Sequence, residues 1–215
     1  MIVVNNFIKI KKEIELISDK TDIIAVSKNF SLDKIRSLID FGHLHFGENR
    51  VNEATDKWAE VLKTNTSLKI HFIGRLQSNK VKDVFKVFSY VHSLDNIKLA
   101  EKLANEEILQ KKKIKYFIQL NLANEPQKSG ILFNDFDVFY SKCTKDLKLD
   151  VIGLMCIPPV HSNPEIYFKK LNEISIQYNL NHLSMGMSSD YMQAIKYGST
   201  FIRVGTGIFG PRVKI

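Results

Sequence analysis

The 215-residue chain has only two cysteines, Cys143 and Cys156, too few and not spaced for a disulfide framework or a zinc site. Two reduced thiols and a cytoplasmic location are expected. No apolar run approaches the ~18 residues that span a bilayer. The opening MIVVNNFIKIKK lacks the order of charge, apolar run and small cleavage residues of a signal peptide. Prolines number five and glycines ten, and no Gly-, Ser- or Pro-rich linker or low-complexity tract interrupts the chain, so a single domain over 1–215 is expected. Arginine is also scarce, five against 26 lysines. The lysines carry the net charge to +8, which raises nucleic acid as a partner. They are dispersed, with short runs such as Lys11-Lys12 and Lys111 to Lys113, the pattern of a solvated surface, and specific nucleic-acid binding is not expected. Three of the arginines, Arg75, Arg203 and Arg212, lie inside or beside glycine-containing motifs.

What the chain does have is alternation. Apolar positions Phe7, Ile10, Ile14 and Ile17 have helical spacing, and DIIAVSK reads as a strand. Ser31 can cap a helix with Leu32, Ile35, Leu38 and Ile39 on one face, closing at Gly42. The strands HLHFGEN, KIHFIG, YVHSL, KYFIQLNL, DVIGLMCI, HLSMGM and FIRVGT follow, each separated from the next by a helical stripe. Asp95 is the expected cap of the helix that carries Ile97, Ala100, Leu103, Ala104 and Ile108, and Asn163-Pro164 opens another. Residues 134 to 143 form a further helix, and the last runs from about Ser188 to Tyr197. Eight strands alternating with helices predict a closed parallel (β/α)8 barrel, with the helix at 7–18 covering the gap left after strand eight. The alternative is an open doubly wound sheet.

In such barrels the working groups collect at the C-terminal ends of the strands. Here Lys28, Glu48-Asn49, Gly74-Arg75, Asn121, Met155, Gly186 to Ser188 and Gly205-Thr206-Gly207 fall there. The stretches SMGMSSD and RVGTGIFG, after strands seven and eight, combine exposed amides with serine hydroxyls and read as a phosphate site, with Ser188, Ser189 and Asp190 in the first turn of the last helix. By period two, Lys28 shares a face with Ile24 and Val26, and Arg203 shares one with Phe201 and Gly205. Closure would make these strands neighbours and point both cations at the mouth. A phosphorylated aldehyde resolves the repulsion: it consumes the amine as an imine, seats its phosphate after strands seven and eight, and offers a ring nitrogen to the arginine. Pyridoxal phosphate meets all three requirements.

The stretches AVSK, HFGEN, HFIGRLQSNK, NLANEPQKSG, GLMCIPP, LSMGMSSDYMQAI and GSTFIRVGTGIFG, spread over residues 22 to 212, resemble those of the YggS/PROSC family of pyridoxal phosphate homeostasis proteins. The resemblance implies a single-domain barrel of the alanine racemase N-terminal type and pyridoxal 5'-phosphate as cofactor. It implies a Schiff base on Lys28, Arg203 beside the pyridine nitrogen, phosphate contacts from Ser188, Gly205 and Thr206 together with Ser184, and Asn49 and Met155 lining the cofactor. It also implies a role in vitamin B6 balance without catalytic turnover, with apo-enzymes that need the cofactor as candidate partners. Asn52 departs from the pattern, standing where a glutamine is expected after FGEN. His71 and Cys156 are expected to pack, and Lys80 and Lys128 to lie in polar loops near the mouth.

The competing reading is a racemase or decarboxylase on the same barrel. A racemase needs a second base opposite the lysine, and the sequence leaves no residues after strand eight for the second domain that supplies one. A monomer with an open mouth is expected, an arrangement that suits release better than turnover. A sugar-phosphate enzyme would explain the phosphate loops but not Lys28 with Arg203.

Overall fold

The computed structural model describes residues 2–211. Its eight strands are β1 (Asp22–Val26), β2 (His45–Glu48), β3 (Lys69–Phe72), β4 (Tyr90–Leu94), β5 (Lys115–Gln119), β6 (Asp150–Met155), β7 (His182–Met187) and β8 (Phe201–Val204). They close in sequence order into one barrel, and every neighbouring pair is parallel, β1 with β8 included. The open-sheet alternative is thereby excluded. The helices are α1 (Ile2–Glu15), α2 (Leu32–Asp40), α3 (Val51–Thr64), α4 (Val81–Val87), α5 (Ile97–Gln110), α6 (Phe136–Ser141), α7 (Pro164–Gln177), α8 (Tyr191–Lys196) and the single turn α9 (Thr206–Phe209).

The strands have two buried faces, as parallel strands covered by helices must. Outward residues such as Phe46, Ile70, Phe72, Tyr116 and Leu154 meet Ile35, Trp58, Phe85, Leu103 and Phe168 of the helices in one continuous core. Each such side chain, fully buried, contributes ~2–3 kcal/mol. Inward residues form a much smaller apolar group, Ile24, Phe117, Met155 and Phe201, with Tyr90 and Ile152 against it. The lumen also holds buried polar side chains, among them His71, His92, Ser184 and Arg203.

Helix α1 covers the side of the barrel where the connection after β8 is short. Its Asn6 side chain donates to the Ile208 carbonyl of α9 (3.1 Å), and Glu13 accepts from the Tyr191 hydroxyl of α8 (2.6 Å). Glycine is required at Gly186, where φ is +90° and a Cβ would stand 2.6 Å from that of Ala194, so its absence lets α8 close onto β7.

Several sequence expectations are corrected. Strand one ends at Val26, not Lys28. Ser31 occupies the N-cap of α2 but its hydroxyl makes no capping bond. The cap of α5 is Asn96, whose Oδ1 accepts from the Leu99 amide (2.9 Å), not Asp95. Residues 133 to 146 pass from a 3-10 turn through α6 into a π turn. Asn163 does cap α7, accepting from the Glu165 amide, with Pro164 in the first turn.

Candidate functional site

The site is built around the end of β1. Ser27 continues the ladder by one bond, its amide donating to the Gly47 carbonyl (3.0 Å), and the chain then turns, with the Phe30 amide donating to the Ser27 carbonyl (3.1 Å). Lys28 is the first corner of that turn. The second is Asn29 at φ +63°, a left-handed position that asparagine tolerates better than most residues. The period-two argument therefore stops at Val26, and Lys28, half-buried, is aimed by a turn.

That turn is held from the outside. Glu48, fully buried, accepts through Oε1 from the Ser27 hydroxyl (2.7 Å), the Lys57 ammonium (2.9 Å) and the Trp58 indole N–H (3.0 Å). Lys57 also donates to the Ser27 carbonyl (2.9 Å) and to Glu53 (3.1 Å), and Glu53 accepts from the Asn29 amide (2.6 Å). The residues on either side of Lys28 are thus pinned to α3. Sequence reasoning missed Glu53, Lys57 and Trp58. The available signal was the Glu53–Lys57 pair four residues apart, with Trp58 on the apolar stripe beside it.

Across the closure, Ile24 pairs with Arg203 and Ala25 with Val204. Gly205 directly follows β8 and packs against Val26, where a Cβ would stand 3.3 Å from the Val26 carbonyl oxygen. Arg203 is almost wholly buried, 5% exposed. It donates from Nη1 to the backbone oxygen and hydroxyl of Ser184 (2.7 Å each) and from Nη2 to the Cys156 carbonyl (3.1 Å). Among the described residues that leaves its Nε–H and one Nη2–H uncommitted. Burial lowers its pKa, but a guanidinium still stays charged near neutrality.

The other expected residues separate into two levels. Met155 is buried in the lumen, in register with Ser184. Ser184 is fully buried and its hydroxyl is engaged by Arg203 and His92, so it sits beneath the arginine and not among the phosphate loops. Higher up, Ser188 and Thr206 are exposed, and Ser188 lines a 260 Å3 cleft with Gly207 and with Lys9 of α1. Ser188 and Ser189 precede α8 instead of opening it. Asp190 turns its carboxylate back to accept from the Met187 amide (2.6 Å), and the helix starts at Tyr191. Asn49 borders a groove of 1120 Å3 over β2 to β4, with Arg50, Arg75 and Lys80, and its Oδ1 is buried without a partner among the described residues. Gly74 matters here, because a Cβ would lie 2.3 Å from the Asn49 carbonyl. Lys128 pairs with Glu125 within its own loop. Arg212 lies outside the described residues. Burial pushes both cysteine thiols up to about 12, consistent with packing.

Three histidines of the lumen, His45, His71 and His92, are each bonded to the next. His71 is fully buried, as a packing residue should be, yet both of its ring nitrogens are hydrogen-bonded. The signal in the sequence was a histidine on each of three successive strands.

Comparison with known proteins adds the following. The family model described as alanine racemase, N-terminal domain, matches residues 4–213. The chain is 34% identical over 203 residues to the pyridoxal phosphate homeostasis protein of Escherichia coli K12, covering 90% of this chain and 87% of that one. It is 37% identical over 199 residues to the protein of the same name from Aquifex aeolicus, covering 88% and 86%. PipY of Synechococcus elongatus, in its structure with PLP bound, superposes with a TM-score of 0.87 at 32% identity over 97% of this chain and all of that one.

Proposed function

The chain belongs to the alanine racemase N-terminal domain family, and from that premise we propose that it binds pyridoxal 5'-phosphate at the barrel mouth, as a Schiff base with the Lys28 amine. Its role in this reading is the one its relatives are named for, the homeostasis of that cofactor, without turnover of its own. The observation that carries the reading is the β1–β8 closure. It brings together an amine in a pinned turn, a guanidinium with donors to spare and a glycine backbone that carries no side chain, all on two adjacent strands or just beyond their ends.

The donor set suits the group. Pyridoxal phosphate supplies an aldehyde for the amine, an electron-withdrawing ring and a phosphate handle. Arg203 meets the ring nitrogen as a donor; being permanently charged, it opposes protonation of that nitrogen and so weakens the ring as an electron sink. Asn49, whose buried amide oxygen has no partner among the described residues, and Met155 line the ring. Ser188, Thr206 and the Gly205 backbone take the phosphate. Glu48, Glu53 and Lys57 hold the backbone on either side of Lys28 and so keep its amine in reach. Apo-enzymes that require the cofactor are the partners this role calls for, and the chain acts as a monomer. Among the described residues no helix is long and apolar enough to cross a membrane.

The purified protein incubated with pyridoxal phosphate is expected to show a visible imine band that borohydride fixes to Lys28, and Lys28→Ala is expected to lose the band. A colourless wild-type protein refutes the binding reading. The loaded protein is then incubated with L-amino acids and assayed for D-isomers and amines. Sustained turnover would replace the homeostasis reading with the racemase or decarboxylase one.

A further inference from the structure

The cofactor reading leaves the three lumen histidines without a role. They form one line with the arginine. Arg203 donates to the Ser184 hydroxyl (2.7 Å), which lies 2.8 Å from His92 Nδ1. His92 Nε2 is 2.8 Å from His71 Nδ1, and His71 Nε2 is 2.9 Å from His45 Nδ1. Stacking holds the rings in place: Tyr90 lies parallel to His71 and Phe117 nearly parallel to His92, both with centroids 4.2 Å apart.

The hydrogens can be assigned. A guanidinium only donates, so Arg203 occupies a lone pair of the Ser184 oxygen. Among the described residues, His92 Nδ1 is the acceptor within reach of the serine hydrogen. A neutral His92 then carries its hydrogen on Nε2 and donates to His71 Nδ1, and His71 donates in the same sense to His45. No ring keeps a spare lone pair inside the line, so protonating any of them breaks a link. Burial holds His71 and His92 well below the ordinary imidazole range, which agrees with neutral rings. Every member turns its lone pair toward Arg203 and its hydrogen away. Among the described residues no carboxylate forms an ion pair with Arg203; the charged and titratable groups facing the line are Asp22, Lys69, His43 and Tyr90 at its lower end, and at its upper end Arg203 itself with Cys156 and, beyond ion-pair distance, Asp190.

We infer that Ser184, His92, His71 and His45 are positioning residues. They form a one-way hydrogen-bond chain whose aligned dipoles stand in for a counter-ion to Arg203 and fix its guanidinium for the ligand. A carboxylate in that place would lend the guanidinium electron density and pull protons toward the ring end of the site. A neutral chain stabilises the cation without adding a base. The consequence for the cofactor rests on the reading above; the chain itself does not.

Two measurements test it. In the apo-protein, 15N imidazole spectra at pH 7 are expected to show His45, His71 and His92 neutral and protonated on Nε2. An Nδ1–H tautomer or an imidazolium at His71 or His92 overturns the chain. In the loaded protein, His92→Leu and Ser184→Ala are each expected to speed release of pyridoxal phosphate by about tenfold or more and to shift the imine band. His92→Gln, which can accept from Ser184 and donate to His71, is expected to restore both. Folded His92→Leu and Ser184→Ala proteins with the wild-type band and release rate overturn the positioning role. A wild-type protein that takes up no pyridoxal phosphate overturns the functional reading instead, and the apo tautomers still decide the chain.

Discussion

Glu48 shows how much one buried residue can organise. Its Oε1 gathers Ser27, Lys57 and Trp58, while its Oε2 is buried without a partner among the described residues. Breaking a buried ion pair from one side leaves an uncompensated charge, which costs about 3–5 kcal/mol. Lys57→Met is therefore expected to destabilise the protein by that order in urea unfolding and to slow imine formation at Lys28. The double variant Glu48→Leu with Lys57→Met is expected to recover much of the stability but not the rate. A single variant with wild-type stability and rate would show that the cluster does not hold the turn. Lys28 and Arg203 stood out in the sequence as candidates because a charge beside or within an apolar run is conspicuous. The partners of Glu48 were not, because Lys57 and Trp58 arrive from a helix whose stripe reads as ordinary packing. Ser184 was misjudged for a related reason. Serine suits a phosphate loop and a lumen equally well, and only the depth of its place on β7 separates the two.

At the scale of elements, the strands were read closely and the helix starts less so. YVHSL and HLSMGM match β4 and β7 residue for residue, because apolar runs bounded by polar residues are a strong local signal. Adjacent polar residues compete for a cap, and the winner depends on where the chain enters the helix. Asp95 and Asn96 are such a pair, and Asn96 makes the bond. Asn96→Ala is expected to cost about 1 kcal/mol in urea unfolding and Asp95→Ala much less; the reverse order would reassign the cap. Gly186 belongs to the same scale. With φ at +90° and Ala194 in the way, Gly186→Ala must both strain the backbone and displace α8. The expected loss is about 1–3 kcal/mol, with weaker cofactor retention, because the loop bearing Ser188 leads into α8. Unchanged thermal stability would argue against that close contact.

For the whole molecule, burial of His43 and of the lumen histidines sets a pH limit. The ordinary imidazole value is about 6.5, and above it these rings are neutral in both the folded and the unfolded chain. As the pH falls below it, the unfolded chain takes up protons that the folded chain refuses. Stability is then lost from about 6.5 down to the value of His43, which burial lowers to about 4, and further for His71 and His92. The urea midpoint is expected to be nearly flat just above pH 7 and to fall steadily between pH 6.5 and 4, with a shallower slope in His71→Gln. A midpoint indifferent to pH over that range would mean that the rings are charged in the fold. The sequence by itself determined the eight-fold alternation and the closed parallel barrel, and it singled out Lys28 and Arg203 as candidates, because periodicity and a misplaced charge are local properties of a chain. Tertiary structure alone decided what surrounds them: the turn pinned by α3, the serine beneath the arginine and the histidine line through the lumen. Those depend on which residues of separate strands and helices meet once the barrel is closed, and that pairing is set by the stagger of closure and the docking of the helices, properties that no single strand carries.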